Sequence, residues 1–277
     1  MSRPANVLAV ACARITSERM PGKMMAQVLG SYPVLGHVLN RLEQSESMRK
    51  IVVATPESEL NAPIWDLATS MGHTVVVGPE HDVVARMEKA VERHAVDGDL
   101  IYRVMTDQPF LDWNALDSEV SIMQAQGWDF VLPLTFSEDP VYGASAHLWT
   151  RRVWHAIANQ SRNDEREHPG MWLRRHLGKF NYGLLDLPHW AYRPYRLELD
   201  TEDDLKLCNI LYGTWTGQGP PPLRWVVQQL DRNPSLAMIN GHVRERTGTY
   251  TSFTKAEIEA WHRDYAERSV VWSDVAG

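Results

Sequence analysis

Apolar residues enter the first half of the chain as short continuous runs, each followed by a longer stretch in which they recur three and four positions apart. The runs Val7–Cys12, 51–54, 74–77 and Leu100–Met105 are rich in β-branched side chains and predict strands buried on both faces. The stretches 34–44, 62–71 and Val83–His94 predict helices. In the first of these Val34, Leu35, Val38, Leu39 and Leu42 form one stripe, so Asn40, Arg41, Glu43 and Gln44 are expected to face water. Alternation of strand and helix specifies an α/β fold with a mostly parallel central sheet flanked by helices.

Beyond a helix at Trp113–Gln126 and a strand at 130–132 the alternation loosens. The segment Pro140-Val141-Tyr142-Gly143, the run 144–149 and the polar stretch 161–168 are expected to face a substrate. Further strands are expected at 182–187 and 196–199. Thr201, followed by Glu202, Asp203 and Asp204, has the form of an N-cap opening a helix that runs through Tyr212. Gly217-Gln218-Gly219-Pro220-Pro221-Pro222 interrupts the pattern, which divides the chain into an α/β domain over 1–216 and a small helical C-terminal appendage over 217–277. The appendage is expected to hold helices at 225–230 and 255–267. Its tryptophans Trp225, Trp261 and Trp272 would cover the core or a second copy of the chain, and a homodimer is expected.

The 277 residues suffice to bury a sizeable core, and 44% hydrophobic with 23% charged residues is ordinary for a globular protein. A net charge of −7 argues against a general nucleic-acid-binding surface. Cys12 and Cys208 stand far apart in apolar runs, so neither a disulfide framework nor a C-x-x-C metal site is indicated, and a reducing cytoplasm is expected. No apolar run has the length of a membrane span, and no signal-peptide pattern is present.

Candidate chemistry concentrates after the first strand. Arg14, Ser17, Arg19 and Lys23 share one loop with Gly22, at the position that faces the ligand crevice of an open α/β sheet. Two readings stand: a triphosphate site built from side-chain charge, and a solvated polar loop. It is not a Walker loop, because G-x-x-x-x-G-K-[ST] is missing. Asp107, just past the strand Leu100–Met105, suits a Mg²⁺ ligand or a turn before Pro109, and Asp200 is the candidate second ligand across the crevice. Asp82 reads first as a helix cap. Arg86, one turn later, reads as a contact to base or phosphate or as a surface arginine. Arg166-Glu167-His168 either touches substrate or enters a helix, and Arg174 or Arg175 could pair with a substrate carboxylate or line an exposed helix face. Neither a Ser-His-Asp arrangement nor H-E-x-x-H occurs, so covalent and zinc chemistry are not expected.

Taken in order, Ala13-Arg14-x-x-Ser17-x-Arg19-x-Pro21-Gly22-Lys23, Val52-Val53-Ala54-Thr55, His81-Asp82-Val83-x-x-Arg86, Thr106-Asp107-Gln108-Pro109, Arg166-Glu167-His168 and Leu199-Asp200-Thr201-Glu202-Asp203 form a pattern more specific than any one motif. The chain resembles the spore coat polysaccharide biosynthesis protein F family, relatives of the 3-deoxy-manno-octulosonate and acylneuraminate cytidylyltransferases. The resemblance implies a Rossmann-like, glycosyltransferase-A-type nucleotide-binding fold and transfer of CMP from CTP to a sugar, often a sugar acid, with release of pyrophosphate. It further implies that Arg14, Ser17, Arg19 and Lys23 hold the triphosphate, with Lys23 and Arg14 as catalytic charges. Asp82 and Arg86 would contact the nucleotide, Asp107 and Asp200 would hold Mg²⁺, and Tyr142, Glu167 and His168 would meet the sugar. Two positions depart from the pattern: Thr106 stands where glycine is usual, and Glu18 brings an acid into the loop. A nucleotide-sugar-dependent glycosyltransferase and a non-catalytic nucleotide-binding subunit are the alternatives; against the first, Met105 stands where a D-x-D signature would begin.

Overall fold

A computed structural model of the chain describes residues 6–30, 32–133, 141, 143–144, 147–243 and 269–271. Tyr142, the expected helix at 255–267, Trp261 and Trp272 lie outside the described residues. In chain order the elements are β1 (Val7–Cys12), α1 (Val34–Leu42), β2 (Met48–Pro56), α2 (Ala62–Ser70), β3 (Thr74–Gly78), α3 (Val83–His94), β4 (Leu100–Met105), α4 (Trp113–Gln126), β5 (Phe130–Pro133), β6 (His147–Thr150), α5 (Arg151–Gln160), α6 (Pro169–Arg175), β7 (Tyr182–Asp186), α7 (Glu202–Thr214), α8 (Leu223–Arg232), α9 (Pro234–Ala237) and β8 (Ser269–Val271). The strands form one sheet in the order β3-β2-β1-β4-β6-β5-β7-β8. β6 runs antiparallel to β4 and β5, and the other pairings are parallel.

Alternation along the strands separates two apolar layers, because successive side chains leave opposite faces of the sheet. Val7, Ala9, Ala11, Ile51, Val53, Tyr102 and Val104 meet α1, α2, α4, α7 and α8 on one face. Leu8, Val10, Val52, Ala54 and Ile101 meet α3, α5 and α6 on the other, where Trp149, Trp154 and Trp172 are fully buried. Polar residues are thereby left to the strand exits, and the carboxyl ends of β1 and β4 open toward the site. Among the described residues no helix is long and apolar enough to cross a membrane.

Three expectations need correction. Arg41 does not face water: it is wholly buried, and its guanidinium donates to the carbonyls of Leu111 (2.7 Å), Pro221 (2.6 Å) and Phe110 (3.3 Å) while lying 4.7 Å from the Trp113 ring centroid. Helical periodicity cannot foresee this, since the side is covered by segments remote in sequence. Residues 196–199 are not a strand of the sheet. They run along the exit of β4, where Leu199 N–H donates to the Asp107 carbonyl at 2.8 Å. The C-terminal region, read as helical, also adds β8 beside β7. Its first helix, α8, sends Leu223, Val226, Val227 and Leu230 into the same apolar layer as α1.

Candidate active site

Beyond β1 the chain closes a loop on itself, the Gly22 N–H donating to the Ile15 carbonyl (2.9 Å) and the Lys23 N–H to the Met20 carbonyl (3.2 Å). Gly22 takes φ 77°, a left-handed conformation that glycine adopts at little cost, and the turn sends Lys23 inward. Only 7% of Lys23 is exposed. Its ammonium donates to Asp107 Oδ2 (2.8 Å), Asp200 Oδ1 (2.9 Å) and the Leu199 carbonyl (3.0 Å), which uses all three of its protons. Burial disfavours the charge, yet the Asp107 and Asp200 carboxylates outweigh that penalty and hold the Lys23 pKa above its ordinary value.

Asp107 leaves the end of β4 next to Thr106, whose hydroxyl donates to the Cys12 carbonyl at 2.8 Å and ties the exits of β4 and β1 together. The departure from glycine at this position therefore has a structural use. Asp200 receives Arg19 (2.8 Å) and Arg196 (2.9 Å) on Oδ2 while Oδ1 faces Lys23. Burial would raise the Asp200 pKa, but hydrogen bonding with Glu198 and the charges of Lys23 and Arg19 bring it down to about 2. Behind it, Arg196 also reaches Asp204 (3.1 Å), the capping-box partner of Thr201, so the start of α7 anchors the segment. Glu198 completes the acidic group: one carboxylate oxygen each from Asp107, Glu198 and Asp200 lies within 4.8 Å of the others. Gly143, at φ 87°, lets the chain pass against Glu198, since a Cβ there would lie 2.3 Å from the Glu198 nitrogen.

The remaining predicted residues fall on the α3 and α6 side. Arg14 pairs with Glu167 at 3.4 Å. Asp82 caps α3 by accepting from the Ala85 N–H (2.8 Å) and also pairs with Arg166 (2.6 Å), so two ion pairs join the β1 and α3 ends to the segment before α6. Arg86 is not a surface arginine: it is 2% exposed and donates to the carbonyls of Pro79 and, at 2.6 Å, Glu80. Ser17 is half-buried in the first loop, and His168 is half-buried ahead of α6. Of the two candidate carboxylate partners, Arg175 is exposed and bound to Glu165 at 2.8 Å, whereas Arg174 lies near His147. Cys12 and Cys208 are free thiols whose pKa values burial raises, which suits structural rather than nucleophilic roles.

Sequence reading missed Glu198 and Arg196. The signal was present in the alternation Arg196-Leu197-Glu198-Leu199-Asp200: Leu197 and Leu199 enter the core, so the three charged residues between and beside them share the opposite face. The site thus sets three hard oxygen donors against an interleaved set of cations at the exits of β1 and β4. That arrangement can hold a divalent ion and a polyphosphate side by side.

The chain is similar to known proteins. Spore coat polysaccharide biosynthesis protein SpsF of Bacillus subtilis is 28% identical over 239 residues, covering 84% of this chain and 97% of its own length. An 8-amino-3,8-dideoxy-manno-octulosonate cytidylyltransferase of Shewanella baltica is 28% identical over 223 residues, with 75% of this chain and 87% of the relative covered. The structure of a cytidylyltransferase from Leptospira borgpetersenii superposes with a TM-score of 0.76 at 23% identity over 85% of this chain and 97% of that one, a likeness of fold. The model of the cytidylyltransferase family matches residues 8–211, a span that begins within β1, ends within α7 and includes Asp107, Glu198 and Asp200, and the chain belongs to that family.

Proposed function

We propose that the protein transfers CMP from CTP to a hydroxyl of a sugar acid, with Mg²⁺ and release of pyrophosphate. One observation carries the reading: the loop cation Lys23 and the carboxylates Asp107, Glu198 and Asp200, far apart in sequence, converge at the exits of β1 and β4. The names of the Bacillus and Shewanella relatives support a carbohydrate acceptor, and the latter an acidic one.

The donor set fits Mg²⁺, because carboxylate oxygens are its preferred protein ligands and the ion keeps room for water and phosphate. Asp107, Glu198 and Asp200 would hold it, and the ion would supply positive charge to the α-phosphate and to the attacking oxygen. Arg14, Arg19 and Lys23 bind the triphosphate, exchanging the carboxylates they now hold for phosphate oxygens. The acceptor oxygen forms a bond to the α-phosphorus as the α–β bridging P–O bond breaks. Pyrophosphate departs with the electron pair of that bond, and the hydroxyl proton passes to solvent. Positioning and charge neutralisation supply the rate enhancement, and no covalent nucleophile is required.

The test is pyrophosphate release with Mg²⁺ and each of the four ribonucleoside triphosphates against acidic and neutral sugars. Release with CTP and a sugar acid, lost in Asp107→Ala, is expected. Turnover of a nucleotide sugar with CTP ignored would replace this reading with glycosyl transfer.

A further inference from the structure

Arg103 stands apart from the other arginines around the site. Arg14, Arg19, Arg166 and Arg196 each face a carboxylate, and Arg41 and Arg86 are held by backbone carbonyls. Arg103 has neither among the described residues. Its single hydrogen bond runs from Nη1 to His147 Nδ1 at 3.4 Å, and its Nε is buried without a partner. Arginine can only donate, so His147 Nδ1 must be the acceptor and the imidazole proton sits on Nε2.

Among the described residues no carboxylate pairs with Arg103, and the groups that touch it are neutral. Burial, with Arg103 and Arg174 adding to it, pushes His147 well below the usual histidine range, so the ring is neutral. Burial raises the pKa of the Cys12 thiol next to it. The ring of Trp149 stacks on His147 at 5.5 Å between centroids, and the start of α6 packs on its other side, where a Cβ on Gly170 would lie 3.3 Å from Nε2. A half-buried guanidinium left without a counter-charge is a standing cost to the fold, of the kind retained where a ligand provides the missing anion.

Its position fits the acceptor. β6 runs antiparallel to β4, so its first residue, His147, pairs with Arg103 at the same sheet edge at which β1 and β4 end. Arg103 is four residues ahead of Asp107, which limits their Cα separation to roughly 14 Å. An arginine side chain and a sugar acid together cover that span. We infer that Arg103, oriented by His147, binds the carboxylate of the acceptor and selects acidic over neutral sugars. The assignment rests on the acceptor being a sugar acid.

The experiment compares the wild type with Arg103→Gln and Arg103→Lys. The probes are CTP with the best sugar acid of the panel, beginning with 3-deoxy-manno-octulosonate, and the carboxamide of the same sugar. Arg103→Gln is expected to raise KM for the acid at least tenfold and to leave KM for CTP and for the carboxamide within twofold. Arg103→Lys should recover part of the loss, and the melting temperature of Arg103→Gln should hold or rise once the unpaired charge is gone. An unmoved KM for an accepted acid, or an equal rise for acid and carboxamide, overturns the assignment alone. Turnover restricted to neutral sugars overturns the sugar-acid reading and this assignment with it. Should Arg103→Gln fail to fold, the acid-to-carboxamide ratio in Arg103→Lys decides the same question.

Discussion

Replacing Lys23 by glutamine tests the core of the site without any substrate. In the wild type the ammonium lies 2.8 Å and 2.9 Å from two carboxylates and occupies the space between them, so a divalent ion must compete with a tethered cation. Removing one partner from a buried ion pair costs about 3–5 kcal/mol, because the carboxylates left behind repel one another. In a protein of this size each kcal/mol moves the melting temperature by roughly 2–4 °C, so metal-free Lys23→Gln should melt at least about 6 °C below the wild type. The bared oxygens of Asp107, Glu198 and Asp200 should then bind Mn²⁺, and an ion at about 100 times its Kd returns roughly 2.7 kcal/mol. Thermal melts across a Mn²⁺ series, with and without CTP, read both effects. The variant should recover most of its loss with Mn²⁺ alone, whereas the wild type should respond strongly only when CTP is present to draw Lys23 away. Equal Mn²⁺ shifts in the two proteins without nucleotide would refute the reasoning.

Further outcomes follow from individual titratable and hydrogen-bonded groups. Asp200, with its pKa lowered to about 2, contributes stability that is complete above the ordinary carboxylate value of 3.8 and is lost as pH falls through about 2. The shift amounts to about 2 kcal/mol, and Asp200→Asn should flatten the acid limb of a stability-against-pH curve between pH 4 and 2. Glu119 is the opposite case: burial, with Asp112 adding to it, raises its pKa from 4.5 to about 8, so its cost to the fold grows as pH rises from 4.5 to 8. Glu119→Gln should therefore stabilise by roughly 4 kcal/mol at pH 8 and by nothing at pH 4, as read by denaturant melts. Tyr212→Phe removes the 2.6 Å bond from the phenol to the Pro109 carbonyl, two residues past Asp107. It should cost about 1–2 kcal/mol in the same assay, the range expected when a buried acceptor loses its partner.

The sequence makes the sheet legible because runs buried on both faces and amphipathic stripes are local patterns; Val83–His94, Leu100–Met105 and Trp113–Gln126 have the bounds that periodicity predicts. Asp107 was legible as a carboxylate at a strand exit, and Asp200 as one that ends an alternating run. The partnership between them was not, since it depends on Lys23 reaching across from a third segment. Glu198 escaped for a related reason. The alternation of its segment puts it on one face with Arg196 and Asp200 but not where that face turns; in the fold the hydrogen bond between Leu199 and Asp107 presses the segment against β4. Arg41 shows the limit of reading faces from spacing, because two of its three carbonyl partners lie about 70 residues away and the third 180.

That last contact bears on how the protein is made. A chain emerges from the ribosome at about 5–20 residues per second, and domains fold as units once their segments are available. Arg41 appears early, but the carbonyl of Pro221 and the apolar face of α8 that seal it arrive some 180 residues later. Until then the nascent chain carries a strand-and-helix framework whose inner layer is still open to water at α1. Cleavage or premature termination near residue 216 would leave the chain in that state, with Arg41 holding the carbonyls of Leu111 and Phe110 but missing that of Pro221. Synthesis of Pro221 and α8 is thus what closes the first helix.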